Sequence, residues 1–344
     1  MAAACCLLGS ILPLKAEKRP LYKNPKAPIE QRVEDLLGRM TLREKVLQLQ
    51  NREAGHGSDD IGRRFHGESV GTIHEMGHDV LECARIVTEV QKYMLDSTRL
   101  SIPVLTGVEG IQGVLQNGAT LFPYSIAQGS TFNPELIEKM TDAAGSEAQA
   151  MGFHQVLSPV LDIARELRWG RVEETYGEDP YLILQIAQGF IRGYGKHRIT
   201  CMPKHFVAHG TPTGGLNCAN VAGGERELRS MYLYPFEKVI AATAPLAVMS
   251  CYSAYDGVPV SGSRYYMTDI LRGELGFKGY VYSDWGSVDR LKTFHYCVPT
   301  SEDAARQLDL LKAVKATGEP MVVVLVSGKP LVMSWVKENA DALL

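Results

Sequence analysis

Apolar and polar positions follow two alternating periods through the middle of the chain. Short runs rich in β-branched and aromatic residues recur between stretches with helical spacing of apolar residues. Polar and turn-forming residues separate them, and Asn133-Pro134 and Asp179-Pro180 are typical helix starts. Such repetition with apolar strands predicts an α/β fold, with a parallel sheet covered by helices. The predicted strands lie at 69–73, 102–105, 155–161, 200–206, 246–251 and 279–283. Six steps favour a (β/α)8-type TIM barrel over a doubly wound sheet.

The region before this series divides into three parts. Residues 1–16 hold an apolar run that is too short to span a bilayer and ends near Ala16. We interpret it as a signal peptide that lacks its basic start, which predicts a secreted or periplasmic protein. A helical pattern with an apolar stripe covers 28–50, and 52–68 is predicted to be a loop.

The region after the series repeats the same alternation once more. Ser301–Thr317 has a helical pattern that ends before Gly318. Met321–Val326 is a strongly β-forming run, and a helical pattern follows it to the last residue. The tail is therefore one further strand–helix unit.

Composition excludes several classes of protein. A net charge of -3 over 344 residues offers no basic footprint, so no nucleic-acid partner is predicted. The seven cysteines have no CxxC spacing, which argues against a disulfide framework and a zinc site. No GxGxxG follows a predicted strand, so a dinucleotide fold lacks its signature. We predict no cofactor and no metal.

Chemically capable side chains stand where the predicted strands end. The carboxyl ends of the strands form the rim at which barrel enzymes carry their active sites. Five consecutive strands deliver polar groups there, namely Glu109, Asp162 with Arg171, Lys204 with His205, Tyr252, and Asp284 with Trp285. Each placement alone is a weak signal, but together they predict one site.

The chemistry of this set suits a carbohydrate. Sugars present many hydroxyl groups and one apolar ring face, which a flat side chain such as Trp285 can cover. We interpret Asp284 as a nucleophile that attacks an anomeric carbon and forms a glycosyl ester. Nearby cations are expected to keep the pKa of Asp284 low.

Three long motifs carry a resemblance to a known family. The segments RWGRVEETYGEDPYL, PKHFVAHG and MSCYSAYDGVPVSGS…LRGELGFKGYVYSDWGSV resemble glycoside hydrolase family 3, the retaining β-glucosidases and β-xylosidases, in the same order. The resemblance implies a barrel domain with Asp284 as nucleophile. It also implies that Glu109, Arg171, Lys204, His205 and Tyr252 surround the first sugar. The implied substrate is a small β-linked oligosaccharide or an aryl glycoside.

Two departures from the family pattern affect this interpretation. Gln112 stands where members often have His. After Gln307 the chain passes directly to a stretch that resembles part of the family's second α/β domain, which supplies the general acid/base glutamate. We therefore assign 17–307 to the barrel domain, with an incomplete barrel, and 308–344 to a remnant of the second domain.

Other interpretations of the same residues stay open. The chain is alternatively a sugar-binding remnant without turnover, or a lyase that uses Lys204 as a Schiff-base amine. His205 and His209 have the spacing of a helical metal pair, but no HExxH accompanies them. We expect Arg165 and Arg168 to pair with Glu166, Glu173 or Glu174, Asp162 to pair with one of the arginines, and Trp169 to pack in the core. Glu225 or a second subunit is the alternative source of an acid/base carboxylate.

Overall fold

The computed structural model describes residues 20–55, 61–301, 303–304 and 323–324. Residues up to Thr41 form one compact unit, and residues from Leu42 onward form another. The first unit contains helix α1, Ile29–Arg39, as its apolar stripe predicts. Within it, the backbone N–H of Tyr22 donates to Asp35 at 3.0 Å. The predicted signal peptide lies outside the described residues and stays a prediction.

Among the residues that the structure describes, the second unit contains eight parallel strands that follow one another in chain order. The first five form one sheet and the last three another. The strands are β1 (Asn51–Gly55), β2 (Thr72–Met76), β3 (Leu105–Val108), β4 (Gln155–Val156), β5 (Thr200–Cys201), β6 (Ala247–Met249), β7 (Tyr280–Tyr282) and β8 (Val323–Val324). A short antiparallel hairpin, Ala254–Tyr255 with Val258–Pro259, follows β6.

One parallel bridge joins the two sheets between β5 and β6. Phe206 pairs with Ser250 just beyond these strands, and its N–H donates to the carbonyl of Met249 at 2.8 Å. Eight parallel strands in sequential order are the arrangement of a TIM-type barrel, so the predicted α/β fold class is confirmed. Within the described ranges no ladder joins β8 to β1.

Helices connect the strands and cover their outer face. Asp79, Asn133 and Asp179 accept hydrogen bonds from the first turns of the three longest, and Gly152 ends one of them in the left-handed region. The helices of this unit are α2 (Leu42–Gln48), α3 (Ile61–Phe65), α4 (Val80–Ser97), α5 (Ser125–Gly129), α6 (Pro134–Met151), α7 (Pro180–Gly195), α8 (Glu225–Glu227), α9 (Leu233–Thr243) and α10 (Ser287–Thr293). Two π-helical segments, Leu228–Tyr232 and Tyr265–Glu274, add to them.

The side chains pack into two main layers. The larger core lies between strands and helices and includes Ile73, Val156 and Phe190. A smaller cluster fills the sheet's inner side with Leu157, Met202, Ala247, Met249 and Tyr282. Side chains that alternate between the two faces of each strand produce these layers. Within the part that the structure describes, no helix is long and apolar enough to cross a membrane.

Sequence and structure differ at the edges of the strand series. The segment predicted as a loop at 52–68 contains most of β1, which the sequence pattern missed, and α3. Of the predicted tail strand, the two described residues pair in parallel with β7, with Val323 opposite Val281. The rest of 305–344 lies outside the described residues, so its assignment to a second-domain remnant stays a prediction.

Candidate active site

The structure brings all the predicted site residues to the carboxyl end of the strands. Glu109 directly follows β3, Arg171 lies in the loop after β4, and Tyr252 comes three residues after β6. The remaining four are Lys204 and His205 beyond β5, and Asp284 and Trp285 beyond β7. Because parallel strands end on one edge, residues almost 180 positions apart in sequence meet in one place.

Asp284 is buried, and its two carboxylate oxygens differ. Oδ1 accepts hydrogen bonds from the hydroxyl of Tyr252 and from the backbone N–H of Trp285, both at 2.7 Å. Oδ2 accepts none from the described residues, although it is shielded from solvent. A carboxylate that is fixed through one oxygen and bare at the other suits attack by the bare oxygen.

Lys204 provides a buried positive charge beside this carboxylate. Its Nζ lies 3.0 and 3.2 Å from the two carboxylate oxygens of Glu109, whose side chain is partly exposed. Burial raises the pKa of Asp284 above its ordinary value, while Lys204, Tyr252 and Arg171 oppose that rise. The expectation that nearby cations keep this pKa low is therefore wrong, because desolvation of the charged form outweighs their attraction.

Arg171 is held from three directions. Its Nε and Nη2 donate to the two carboxylate oxygens of Glu174 at 2.7 and 2.8 Å. The same guanidinium lies 3.0 Å from His205 Nε2 and 3.4 Å from His209 Nε2, and its Cζ is 5.7 Å from the ring of Trp169. A bidentate carboxylate contact fixes the plane of the guanidinium, so its direction into the site is preorganised.

Asp162 pairs with a histidine and not with an arginine. Its Oδ2 lies 2.6 Å from His205 Nδ1, and both side chains are almost completely buried. The predicted pairing of Asp162 with an arginine is therefore wrong. Arg165 pairs with Glu227 at 2.7 Å, so its predicted pairing with Glu166, Glu173 or Glu174 is wrong, whereas Arg168 pairs with Glu166 as expected.

The two tryptophans near the site have the environments that the sequence predicts. Trp169 is buried and its indole N–H donates to Asn217 at 3.0 Å, which agrees with a packing role. Trp285 is 36% exposed, and its ring meets His74 edge-on at 4.4 Å between centroids. An exposed indole beside Asp284 offers a flat apolar surface for a sugar ring or a leaving group.

Sequence reasoning missed four contributors to the site. Glu174 and His209 contact Arg171, and the hydroxyl of Ser253 lies 2.9 Å from His209 Nδ1. A fourth, Arg290, lies 4.2 Å above the ring of Tyr252. The signal for Glu174 was present in its three-residue spacing from Arg171, whereas the other contacts join distant segments.

The structure also describes the surroundings of Glu225, the alternative acid/base residue, and bears on the alternative of a metal site. Glu225 accepts from Arg229 at 2.5 Å and from Tyr265 at 2.8 Å, in an exposed ion cluster that includes Glu274. Within the described ranges, no group of three or more His, Cys, Asp or Glu side chains is placed to hold a metal ion.

Comparisons with known proteins agree with this fold. Residues 41–313 match the family described as "Glycosyl hydrolase family 3 N terminal domain". A β-xylosidase of Formosa agariphila is 36% identical over 221 residues, which cover 60% of this chain and 31% of that protein. β-Glucosidase C of Emericella nidulans is 29% identical over 307 residues, which cover 80% of this chain and 49% of that protein. A solved β-glucosidase structure from Erythrobacter marinus superposes with a TM-score of 0.81 at 28% identity. The superposition covers 91% of this chain and 42% of that protein.

The match is long and covers most of the barrel unit, including every predicted site residue. The chain spans less than half the length of each of these three proteins. By its sequence over residues 41–313 and by its fold, this chain belongs to glycosyl hydrolase family 3.

Proposed function

We propose that this chain attacks terminal, non-reducing β-D-glucosyl or β-D-xylosyl groups and cleaves them with retention of configuration. The observation that carries the proposal is the asymmetry of Asp284. One oxygen is held by Tyr252 and Trp285, while the other is buried and unbonded among the described residues. A glycosidase nucleophile needs this combination of a fixed position and an available lone pair.

The first step forms one bond and breaks another. Asp284 Oδ2 bonds to the anomeric carbon as the bond from that carbon to the leaving oxygen breaks, and the leaving oxygen must then accept a proton. Water hydrolyses the resulting ester in the second step and restores the carboxylate. Lys204, Arg171 and Glu109 supply charged donors and an acceptor for the hydroxyl groups of the bound sugar.

The proposed cycle requires a group that donates a proton to the leaving oxygen. Three carboxyl groups lie around Asp284, and each has a strong partner. Glu109 is bonded to Lys204, Glu174 to Arg171, and Asp162 to His205. Each of these carboxyl groups is thus engaged by a side chain of the site and is not free to approach a departing oxygen. We therefore propose efficient cleavage only for leaving groups that depart without protonation.

The same observation supports the sugar-binding alternative. If the bond to the leaving group does not break without a proton donor, the site binds the sugar but does not cleave it. The lyase alternative is less well supported, because the ammonium of Lys204 donates to both oxygens of Glu109. An amine that attacks a carbonyl group must have a free lone pair and room to approach it, whereas this group is engaged by Glu109.

A mechanism-based label tests the proposal. A 2-fluoro glucoside with a dinitrophenyl leaving group should modify the protein once, and digestion should place the adduct on the peptide containing Asp284. The fluorine slows both steps, and the activated leaving group restores the first. Asp142→Asn is a suitable control, since Asp142 is bonded to His197 and Lys196 at the surface. An adduct on Glu109 or Glu225 would contradict the assignment.

We also propose that the protein is secreted or periplasmic, on the apolar character of residues 1–16. Determination of the amino terminus of the protein recovered from its native host tests this. A terminus near residue 17, in the extracellular or periplasmic fraction, is expected, and recovery of Met1 in the cytoplasmic fraction would contradict it.

A further inference from the structure

Three buried side chains form a line that ends at the bare oxygen of the nucleophile. Asp162 Oδ2 lies 2.6 Å from His205 Nδ1, and His205 Nε2 lies 3.5 Å from Asp284 Oδ2. His205 is fully buried, and the two carboxyl groups are 3% and 5% exposed. The proposed cleavage chemistry does not itself require Asp162 to contact His205, or His205 to lie beside Asp284.

The partners of His205 determine which of its nitrogens carries the proton. Arg171 Nη2 lies 3.0 Å from His205 Nε2, and a guanidinium can only donate. His205 Nε2 is therefore the acceptor, and the proton of the neutral imidazole is on Nδ1. That proton is donated to Asp162 Oδ2, which fixes the tautomer.

We propose that Asp162 is a positioning residue for the nucleophile, because it fixes the ring of His205 with Nε2 accepting from Arg171 and with no N–H directed at Asp284 Oδ2. The proposal rests on the proposed function of Asp284. In the other tautomer, His205 would direct an N–H at the same carboxylate oxygen. A hydrogen bond to that oxygen would stabilise its charge and make it a weaker nucleophile.

The surroundings of the pair support a fixed arrangement. The backbone at Gly210 passes so close to Asp162 that a Cβ at position 210 would lie 2.8 Å from the Asp162 Cβ. Glycine at this position lets the loop that carries His205 and His209 settle against the carboxyl group. Asp162 is therefore held by packing as well as by its hydrogen bond.

Charged and titratable groups surround the pair on all sides. Burial is the largest effect on Asp162 and raises its pKa to about 8. Arg171, Lys204 and a hydrogen bond with the backbone of His205 oppose the rise, whereas Glu174 adds to it. Burial, with Arg171, His209 and Lys204, holds the pKa of His205 well below its ordinary value. A neutral imidazole is the form that the tautomer argument requires.

The tautomer can be observed directly in the unmodified protein. A long-range proton–nitrogen NMR spectrum of the full chain, labelled with 15N-histidine, separates protonated from unprotonated ring nitrogens. The signals of His205 are those missing from the His205→Gln spectrum, among nine histidines. Protonation on Nδ1 is expected. Protonation on Nε2, or on both nitrogens, would overturn the proposal whether or not the protein cleaves glycosides.

Two substitutions then test the consequence for the nucleophile. Asp162→Leu removes the acceptor, and the rate of labelling by the 2-fluoro glucoside should fall about 3–10-fold, the range for one lost hydrogen bond. The acid limb of the labelling rate should move to lower pH, because a ring that has lost its acceptor at Nδ1 is free to turn or to move its proton and direct an N–H at Asp284. Asp162→Asn keeps an acceptor oxygen and should restore most of the rate.

The controls separate the two proposals. Asp142→Leu removes the surface partner of His197 and should leave the labelling rate unchanged. If the wild-type protein is not labelled, the proposed function fails and the NMR spectrum alone decides the tautomer. Equal labelling rates for wild type, Asp162→Leu and Asp162→Asn would show that Asp162 does not position the nucleophile. If Asp162→Leu does not fold, the wild-type spectrum still decides.

Discussion

The hydroxyl of Tyr252 lies 2.7 Å from Asp284 Oδ1 and so fixes the orientation of the carboxylate from the neighbouring strand end. Tyr252 is itself fixed, because its carbonyl is 2.7 Å from His295 Nε2 and Arg290 covers one face of its ring. Oδ2 is left as the free oxygen within the described residues. One tyrosine thus helps to determine which carboxylate oxygen is available to a substrate.

Loss of this hydroxyl should slow attack by Asp284. In Tyr252→Phe, Oδ1 loses one of its two donors, so the ionised carboxylate is less stable and its orientation less well defined. The pKa of Asp284 should rise further, because the donor favours the charged form. Labelling by the 2-fluoro glucoside should fall several-fold at neutral pH, with its acid limb shifted to higher pH.

Tyr265→Phe is the matched control for this substitution. The hydroxyl of Tyr265 donates to Glu225 in the exposed ion cluster, so its removal should leave labelling unchanged. A profile for Tyr252→Phe that coincides with that of the wild type at every pH would show that the hydrogen bond does not influence the nucleophile.

The buried charge of Asp284 should make the protein less stable at neutral pH. A carboxyl group whose pKa is raised by folding binds its proton more tightly in the folded than in the unfolded state. Its contribution to stability is therefore greatest at low pH and is lost as the pH rises past its ordinary value toward its raised value. Asp284→Asn should be more stable than wild type at pH 7, by about 1.4 kcal/mol for each unit of the shift.

Urea unfolding followed by circular dichroism at pH 7 and at pH 4 measures this difference. The gain from Asp284→Asn should shrink at the lower pH. Asp142→Asn should show the opposite sign, because His197 and Lys196 lower the pKa of Asp142 and its charge favours folding. A loss of stability in Asp284→Asn at pH 7 would mean that the cations around the site outweigh desolvation.

The sequence predicted that these residues lie close together because of how a parallel barrel is organised. The apolar strand bodies were visible as short runs, and the residues after them had to meet at one edge. The sequence pattern did not predict β1, because Asn51–Gly55 contains Arg52 and Glu53 and only one apolar residue, Ala54. Its place depends on pairing with β2, where Asn51 lies opposite Thr72, and local patterning does not reveal such pairing.

The sequence could not show which of several possible partners a charged side chain contacts. It also could not show how opposing effects on a pKa balance. Asp162 had several arginines close in sequence, yet it contacts His205, 43 positions away. The pKa of Asp284 depends on the depth of burial as well as on Lys204 and Arg171, and that depth is a property of the folded protein. Such contacts need the packing of several loops at once.

Sugar affinity should depend on the buried ammonium of Lys204. Lys204→Met keeps the aliphatic stem and removes the charge, so Glu109 loses its partner and the site loses a charged donor. Such hydrogen bonds contribute about 1.5–3 kcal/mol each, which corresponds to a 10-fold or greater loss of affinity for glucose. Isothermal titration with glucose or a gluco-configured inhibitor measures the change.

Lys196→Met provides the comparison for that experiment. Lys196 pairs with Glu138 and Asp142 on the surface, and its removal should not alter sugar affinity. If both variants bind glucose as tightly as the wild type, Lys204 serves folding and not sugar recognition.

Cleavage rates should fall steeply as the leaving group becomes more basic. Each carboxyl group near Asp284 is engaged by a cation or by His205, so none is disposed to protonate a departing oxygen. General acid help is worth roughly 10²–10⁴-fold, and a dinitrophenolate does not need it. Dinitrophenyl glucosides should therefore react, while cellobiose and xylobiose should react very slowly.

A plot of the logarithm of the rate against leaving-group pKa, over a series of aryl glucosides, measures this dependence. Added azide should accelerate turnover of the activated substrates, because it attacks the glycosyl ester without a general base. A flat plot together with ready hydrolysis of cellobiose would show that a carboxyl group of this chain acts as the acid. Glu225→Gln would then test the candidate that the sequence suggested.

Two glycines of α7 should respond in opposite ways to an added methyl group. Gly193 faces α6, where a Cβ would fall on the Thr141 hydroxyl and the Glu138 carbonyl and lie 2.8 Å from the Asp142 nitrogen. The Thr141 hydroxyl already donates to the Ile137 carbonyl at 2.9 Å, and backbone atoms cannot move aside cheaply. Overpacking of this kind costs about 1–3 kcal/mol, so Gly193→Ala should lower the free energy of unfolding by that amount.

Gly195 is the matched control on the same helix. A Cβ at this position meets nothing within 4 Å, and alanine is the better helix former by up to about 1 kcal/mol. Gly195→Ala should therefore leave the urea midpoint unchanged or raise it, with the rate of Asp284 labelling unaltered. Equal midpoints for the two variants would mean that α6 and α7 do not approach as closely as Gly193 permits. The close approach matters for the site because α6 and α7 cover β4 and β5, from whose ends Asp162 and His205 extend.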